Sequence, residues 1–247
     1  LTLVILASIA SFIAGFVDAI AGGGGLITFP TLLFFNMPIG SVVGTNKMVS
    51  VCGTALASLT YYKNGLINKE IVKYAVPLVA IFSVLGAYTV ISIPNEFLKP
   101  IVGLVLFGLC IYFFLKPKLG MNSQYVGYTT MQLLILLILM STIGFYDGFF
   151  GPGTGMFMSY VFIKLLKMDF VNATANTKIL NLTTNIFSLM FFIILGKVEF
   201  YIAIPMSLAN MLGGYLGAKS AIKSGNKFIR WIFLFMALAL AIKYYYN

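Results

Sequence analysis

Gly15-Phe16-Val17-Asp18-Ala19-Ile20-Ala21-Gly22-Gly23-Gly24-Gly25 ends one apolar run and begins the next. Gly144-Phe145-Tyr146-Asp147-Gly148-Phe149-Phe150-Gly151-Pro152-Gly153-Thr154-Gly155 does the same in the second half of the chain. In both stretches an aspartate inside apolar sequence is followed, one helical turn later, by glycines. Glycine permits positive φ and close backbone approach, and proline suits the start of a helix. A helix broken at such a point is tolerated inside a membrane only where protein or a water-filled cavity satisfies the backbone. A half-helix that starts there turns free N–H groups and a positive dipole end toward the break, which suits an anion. Close helix packing through small residues is the other role these glycines fit.

The surrounding sequence makes the solvent lipid. Of 247 residues, 60% are hydrophobic and 9% charged, and the mean hydropathy is +1.01. A soluble domain carries about 25% charged residues. Long apolar runs that do not alternate exclude a membrane β-barrel. Segments are expected at about 1–17, 22–36, 41–62, 68–92 and 95–116, then at about 127–146, 149–163, 172–195, 198–219 and 226–246. The second of each five is short for a hydrocarbon core about 30 Å thick and fits either a full span or a half-helix that pairs with its predecessor as a re-entrant hairpin; the sequence leaves both open. The first run lacks a basic start and a cleavage pattern, so it reads as a membrane segment and not a signal peptide.

The two fives repeat each other. Lys47 falls against Lys178 and Gly65 against Gly196. Leu85-Gly86-Ala87-Tyr88 falls against Leu212-Gly213-Gly214-Tyr215, and Asn95-Glu96-Phe97-Leu98-Lys99 against Asn226-Lys227-Phe228-Ile229-Arg230. The matches are colinear, which marks an internal duplication. The first repeat is assigned to residues 1–116, a cytoplasmic linker to 117–126 and the second repeat to 127–247. Each unit has an odd number of crossings, so the second copy inserts upside down. The fold class expected is all-α: a polytopic membrane protein of two inverted repeats, with about eight to ten membrane segments including short half-helices at the glycine-rich breaks.

The 16 Lys and Arg against 6 Asp and Glu leave a charge of +10. The basic residues gather on one side: Lys63, Lys69, Lys73, Lys116, Lys118, Lys164, Lys167, Lys219, Lys223, Lys227 and Arg230. Only Lys99, Lys197 and Lys243 fall on the other. That bias sets the first side in the cytoplasm and both ends of this chain outside. It speaks for a lipid bilayer as partner and against nucleic acid. The absence of His removes the commonest metal ligand, and Cys52 and Cys110 have no disulfide or zinc spacing. No metal and no cofactor are expected. No Gly-Lys-Ser/Thr ending follows either glycine run, which argues against a P-loop.

Asp18, Lys47, Asp147 and Lys178 fall within apolar runs, where each costs about 2.5–3.5 kcal/mol at a helix centre. The aspartates fit capping of the following half-helices, pairing with the lysines, or carriage of a coupling proton. The lysines fit either that pairing or a cavity that attracts an anion. Lys47, Ser50, Thr54 and Ser58 share one helical face, as do Thr177, Lys178, Asn181, Thr184, Asn185 and Ser188. Such stripes hold helices together or line a solvated path. The aromatic pairs, Phe145-Tyr146 among them, fit interfacial belts and lipid-facing surface.

The first glycine stretch runs on as Leu26-Ile27-Thr28-Phe29-Pro30, and Gly44-Thr45-Asn46-Lys47 follows it. On the residues from Gly15 to Pro30 and from Gly44 to Lys47, the chain resembles the TauE/SafE family of sulfite-exporter-like membrane proteins. The second copy, from Gly144 to Gly155 and from Ala175 to Asn181, is similar to the family's repeated motif, with Asn176-Thr177-Lys178 in place of adjacent Asn-Lys. The resemblance covers essentially the whole chain. It implies transport of small sulfur-containing anions, such as sulfite, thiosulfate or sulfonates like sulfoacetate. The transporter would be a multi-pass protein of a cell membrane, bacterial inner or plasma membrane.

The expected substrate site lies between the two breaks. It takes Gly22, Gly23, Gly24, Gly25, Asn46, Lys47 and Ser50 from the first copy. From the second it takes Gly151, Gly153, Thr154, Gly155, Asn176, Lys178 and Asn181, with Asp18 and Asp147 for coupling or helix capping. The expected partner is a small anionic solute, carried by alternating access; a passive anion channel is the alternative, and a homo-oligomer stays open. Tyr146-Asp147 is half of an intramembrane aspartyl-protease motif, but Asp18 follows Gly15-Phe16-Val17 where Gly-x-Gly is required. No enzyme is expected.

Overall fold

The computed structural model describes residues 2–91 and 120–245, with side chains through residue 235. Most of these residues are helical, with no strand among them. The helices are α1 (Thr2–Ala21), α2 (Gly25–Leu33), α3 (Ile39–Lys63) and α4 (Lys69–Val90), then α5 (Thr130–Phe149), α6 (Thr154–Leu166), α7 (Phe170–Ile194) and α8 (Phe200–Tyr245). Gly225, at φ 71° and ψ −168°, interrupts α8, so the two segments expected there share one long element. The segment expected at 95–116, with Cys110, Lys99 and Lys116, lies outside the described residues, as do Lys118 and the side chain of Lys243. The first half of the Asn95–Lys99 repeat match lies outside them too.

Polarity is reversed relative to a water-soluble protein. Lys47, Lys178, Asn46, Asn176, Thr177 and Thr184 are buried, while Leu6, Ile9, Tyr88, Ile138 and Trp231 are exposed. Lipid as the surrounding solvent accounts for both. Helices α1, α4, α5 and α7 are long and apolar enough to cross a bilayer. α2 has 9 residues and α6 has 13, about 14 Å and about 20 Å of helix. Neither reaches across a core of about 30 Å.

Local signals explain where several helices begin. The Asn68 side chain accepts the Ile71 N–H at 3.2 Å to start α4. Thr129 and Gln132 form a reciprocal capping box at the start of α5, and Asp169 accepts the Asn172 N–H at 2.8 Å at α7. Each satisfies a donor that the first turn leaves without an intrahelical partner.

Helices α5 and α6 form an antiparallel hairpin: Gln132 Nε2, near the start of α5, donates to the Leu165 carbonyl, near the end of α6, at 3.2 Å. In the first half, Gly24 folds back against Ala14 and Asp18 of α1. Between the halves the packing is reciprocal. α1 lies on α8 and α4 on α5; α3 also contacts α8, α7 also contacts α4, and α3 and α7 contact each other. Exchanging the halves leaves this pattern unchanged, in agreement with a duplicated architecture.

The α1–α8 and α4–α5 contacts are made backbone to backbone. A Cβ on Gly148 would collide with the Ser83 carbonyl, and one on Gly213 with the Phe12 carbonyl. Small residues serve helix association in lipid because they let dispersion contacts form along the backbone. Gly148→Ala and Gly213→Ala are each expected to destabilise the purified protein by about 1–3 kcal/mol. Leu212→Ala, on the lipid-exposed side of the same turn, should stay within about 0.5 kcal/mol. Thermal unfolding in detergent measures the difference, and equal midpoints for all three would refute the close-packing role.

Candidate substrate site at the paired helix breaks

Helix α1 runs past Val17, which puts Asp18 in its last turn. The Gly22 N–H returns to the Asp18 carbonyl at 2.8 Å, with Gly22 at φ 81°. The Gly24 N–H donates to Asp18 Oδ1 at 3.1 Å, so the carboxylate caps the reversal from which α2 starts. In the second half, Asp147 Oδ1 accepts from the Thr154 hydroxyl at 2.8 Å, at the first residue of α6. Gly153 at φ 84° precedes that helix. Tyr146 Oη donates to the Pro152 carbonyl at 2.7 Å and ties the turn to α5.

The two breaks touch. A Cβ on Gly22 would strike the backbone of Gly155, and one on Gly155 would strike Gly22. Gly25 faces Pro152 across the same contact. Only glycine allows two chain reversals to meet this closely.

The lysines reach the breaks crosswise. Lys47 Nζ of α3 lies 3.0 Å from Asp147 Oδ1 of α5 and donates to Asn185 Oδ1 at 3.1 Å. Lys178 Nζ of α7 lies 2.7 Å from Asp18 Oδ2 of α1. Thr184 donates its hydroxyl to the remaining oxygen of Asp147. The lysines are 1% and 0% exposed, Asp147 2% and Asp18 21%. Each lysine sits two turns, about 12 Å, in from the start of its helix, and neither snorkels outward. The aspartates therefore both cap the turns and pair with the lysines. These two roles coexist, because a carboxylate has two oxygens and about four acceptor positions.

Between the breaks lies a cavity of about 20 Å³, room for about one water. Its lining includes Gly22, Gly25, Asn46, Lys47, Ser50, Gly151, Gly155 and Asn181 of the expected site, together with Asp18 and Asp147. Gly23, Gly24, Gly153 and Thr154 belong to the turns that build it. Lys178 stands beside it on Asp18. Asn176 does not line it: its Oδ1 accepts the Asn68 N–H at 2.8 Å, and its amide donates to the Asn172 carbonyl at 2.8 Å.

The position of Asn176 has a counterpart in the first half. Thr45 Oγ1 accepts the Glu199 N–H at 3.0 Å, so Thr45 and Asn176 hold equivalent loops, each in the opposite half. Asn46 then corresponds to Thr177. The pairing repeats one helix away, where Thr28 donates to Asn46 and Ser159 to Thr177 at 3.2 Å. Two residues outside the expected site take part in building it. Asn185 lines the cavity and holds Lys47; its signal was its place one turn beyond Asn181. Tyr146, read as belt or lipid-facing surface, clamps the second turn, and its signal was adjacency to Asp147.

Removing one member of a buried ion pair leaves an uncompensated charge and costs about 3–5 kcal/mol. Lys47→Met and Asp147→Leu are each expected to lose stability on that scale, and the double variant Lys47→Met/Asp147→Leu to recover most of it. A double-mutant cycle on thermal unfolding measures the coupling. Additive losses would show that the two groups do not depend on each other.

Residues 7–244 match the family described as "Sulfite exporter TauE/SafE". The chain is 38% identical over 236 residues to the probable membrane transporter protein ORF9 of Sinorhizobium sp, covering 95% of this chain and 89% of that protein. It is 35% identical over 238 residues to a probable membrane transporter protein of Haemophilus influenzae, covering 96% and 92%. It is 32% identical over 237 residues to the probable membrane transporter protein YfcA of Escherichia coli, covering 96% and 87%. No solved structure matches it. With a site built from the two motifs that the halves share, and a family match along nearly its whole length, the chain belongs to the TauE/SafE family of membrane transporters.

Proposed function

We propose that the protein carries a small sulfur-containing anion, such as sulfite, thiosulfate or an organosulfonate, across the membrane by alternating access between two inverted halves. The observation that carries this reading is the crossed pair of buried Lys–Asp bridges at the touching helix breaks. The four groups sum to no net charge. An anion therefore enters by taking the place of a carboxylate at an ammonium group, with Asn46, Ser50, Asn181 and Asn185 as neighbouring polar groups. The starts of α2 and α6 add N–H groups and a positive dipole end. A proton on Asp18 or Asp147 would weaken its hold on the lysine and so favour the exchange. The family's description as sulfite exporter supports the substrate class.

A cavity with room for about one water separates this state from an open pore, which favours a carrier over a passive channel. An aspartyl-protease dyad requires two carboxylates sharing a proton. Here each carboxylate faces a lysine, which argues against that chemistry.

Purified protein titrated with sulfite, thiosulfate, sulfonates, sulfate and carboxylates is expected to bind the sulfur oxyanions in preference to carboxylates. Lys47→Ala and Lys178→Ala should abolish that binding while the protein remains helical. The doubles Lys47→Met/Asp147→Leu and Lys178→Met/Asp18→Leu, which leave no buried charge unpaired, should abolish it too. Unchanged affinity in all four variants would defeat the lysine assignment. Flux in proteoliposomes at channel-like rates would defeat the carrier.

A further inference from the structure

Away from the paired breaks, α3 and the first part of α8 enclose a groove of about 630 Å³ at the lysine-rich end of the bundle. On α3 its wall is Leu56, Leu59, Thr60 and Lys63; on α8 it is Tyr215, Lys219, Ile222 and Lys223. Each set recurs at three- and four-residue steps and so forms one helical face. Both faces run from apolar to basic toward the same end. Leu59 and Tyr215 are 45% and 40% exposed, so the groove opens sideways to lipid. Lys63, Lys219 and Lys223 are exposed. The ion pairs found among the described residues lie elsewhere. The Lys219 ammonium stands 5.7 Å from the centroid of the Tyr215 ring, a cation–π distance that holds it over the groove.

We infer that this groove binds an anionic phospholipid, its phosphate among Lys63, Lys219 and Lys223 and an acyl chain along Leu56, Leu59 and Tyr215. A free solute anion would make no use of the apolar wall, and a neutral lipid no use of three ammonium groups. The charge bias assigns this end to the cytoplasm, where the leaflet carries anionic headgroups and basic pockets between helices bind them. The groove does not include the proposed substrate site, so either assignment can fail alone.

Native mass spectrometry of the delipidated full chain tests it, with phosphatidylglycerol, phosphatidylcholine of the same acyl chains, and glycerol 3-phosphate as probes. Phosphatidylglycerol should bind at least ten-fold more tightly than either of the others. Each single variant, Lys63→Gln, Lys219→Gln or Lys223→Gln, should weaken it about five-fold, and the triple variant about a hundred-fold. Lys69→Gln/Lys73→Gln/Lys227→Gln, at the same end but outside the groove, should leave it within two-fold. Equal binding of the two lipids, equal losses in the two triple variants, or unchanged binding in the single variants would overturn the assignment. Glycerol 3-phosphate binding as tightly as the lipid would overturn it as well.

Discussion

An ammonium group deep in a bilayer has to be matched by an opposite charge close at hand, and this protein matches two of them across its halves. Lys47 leaves the first half to meet Asp147, and Lys178 leaves the second to meet Asp18. Both aspartates sit where a helix ends and the chain reverses. The bridges therefore hold the two reversals together as well as neutralising charge. Desolvating four such groups gives back little or no net stability relative to apolar packing, so burial energetics alone give no reason to place them there. The proposed exchange of charge partners at two touching breaks supplies one.

The close approach of the breaks depends on positions with no side chain. Gly22 and Gly155 exclude each other's Cβ, and Gly148 and Gly213 bring the flanking helices into backbone contact. Packing at the helix crossings sets where the breaks lie, and the breaks set where the aspartates face. Electrostatics then fix α3 and α7 relative to α1 and α5. Each layer constrains the next, and each occurs twice.

Much of this was legible in the sequence. The duplicated Asp-then-glycine stretches marked the reversals, and the lysines within apolar runs marked the depth at which charge is buried. The shortness of α2 and α6 was visible from the spacing of apolar residues. What local pattern does not carry is the crossing. Pairing Lys47 with Asp147 instead of Asp18 depends on how the halves pack, and partners drawn from opposite halves leave no periodic trace. The same limit hid the role of Asn176: it resembles Asn46 in type, yet the register of Lys47 against Lys178 sets it opposite Thr45, and its side chain holds a loop. Tyr146 passed for surface because an aromatic residue near a helix end usually is.

A structure with thiosulfate bound, its sulfur atoms located by anomalous scattering, bears most directly on the crossed charge pairs as an anion site. Their exchange predicts the anion between the two glycine turns, with an oxygen within hydrogen-bond reach of Lys47 or Lys178 Nζ and the corresponding carboxylate displaced. Thiosulfate bound elsewhere, with both Lys–Asp bridges intact, would contradict it.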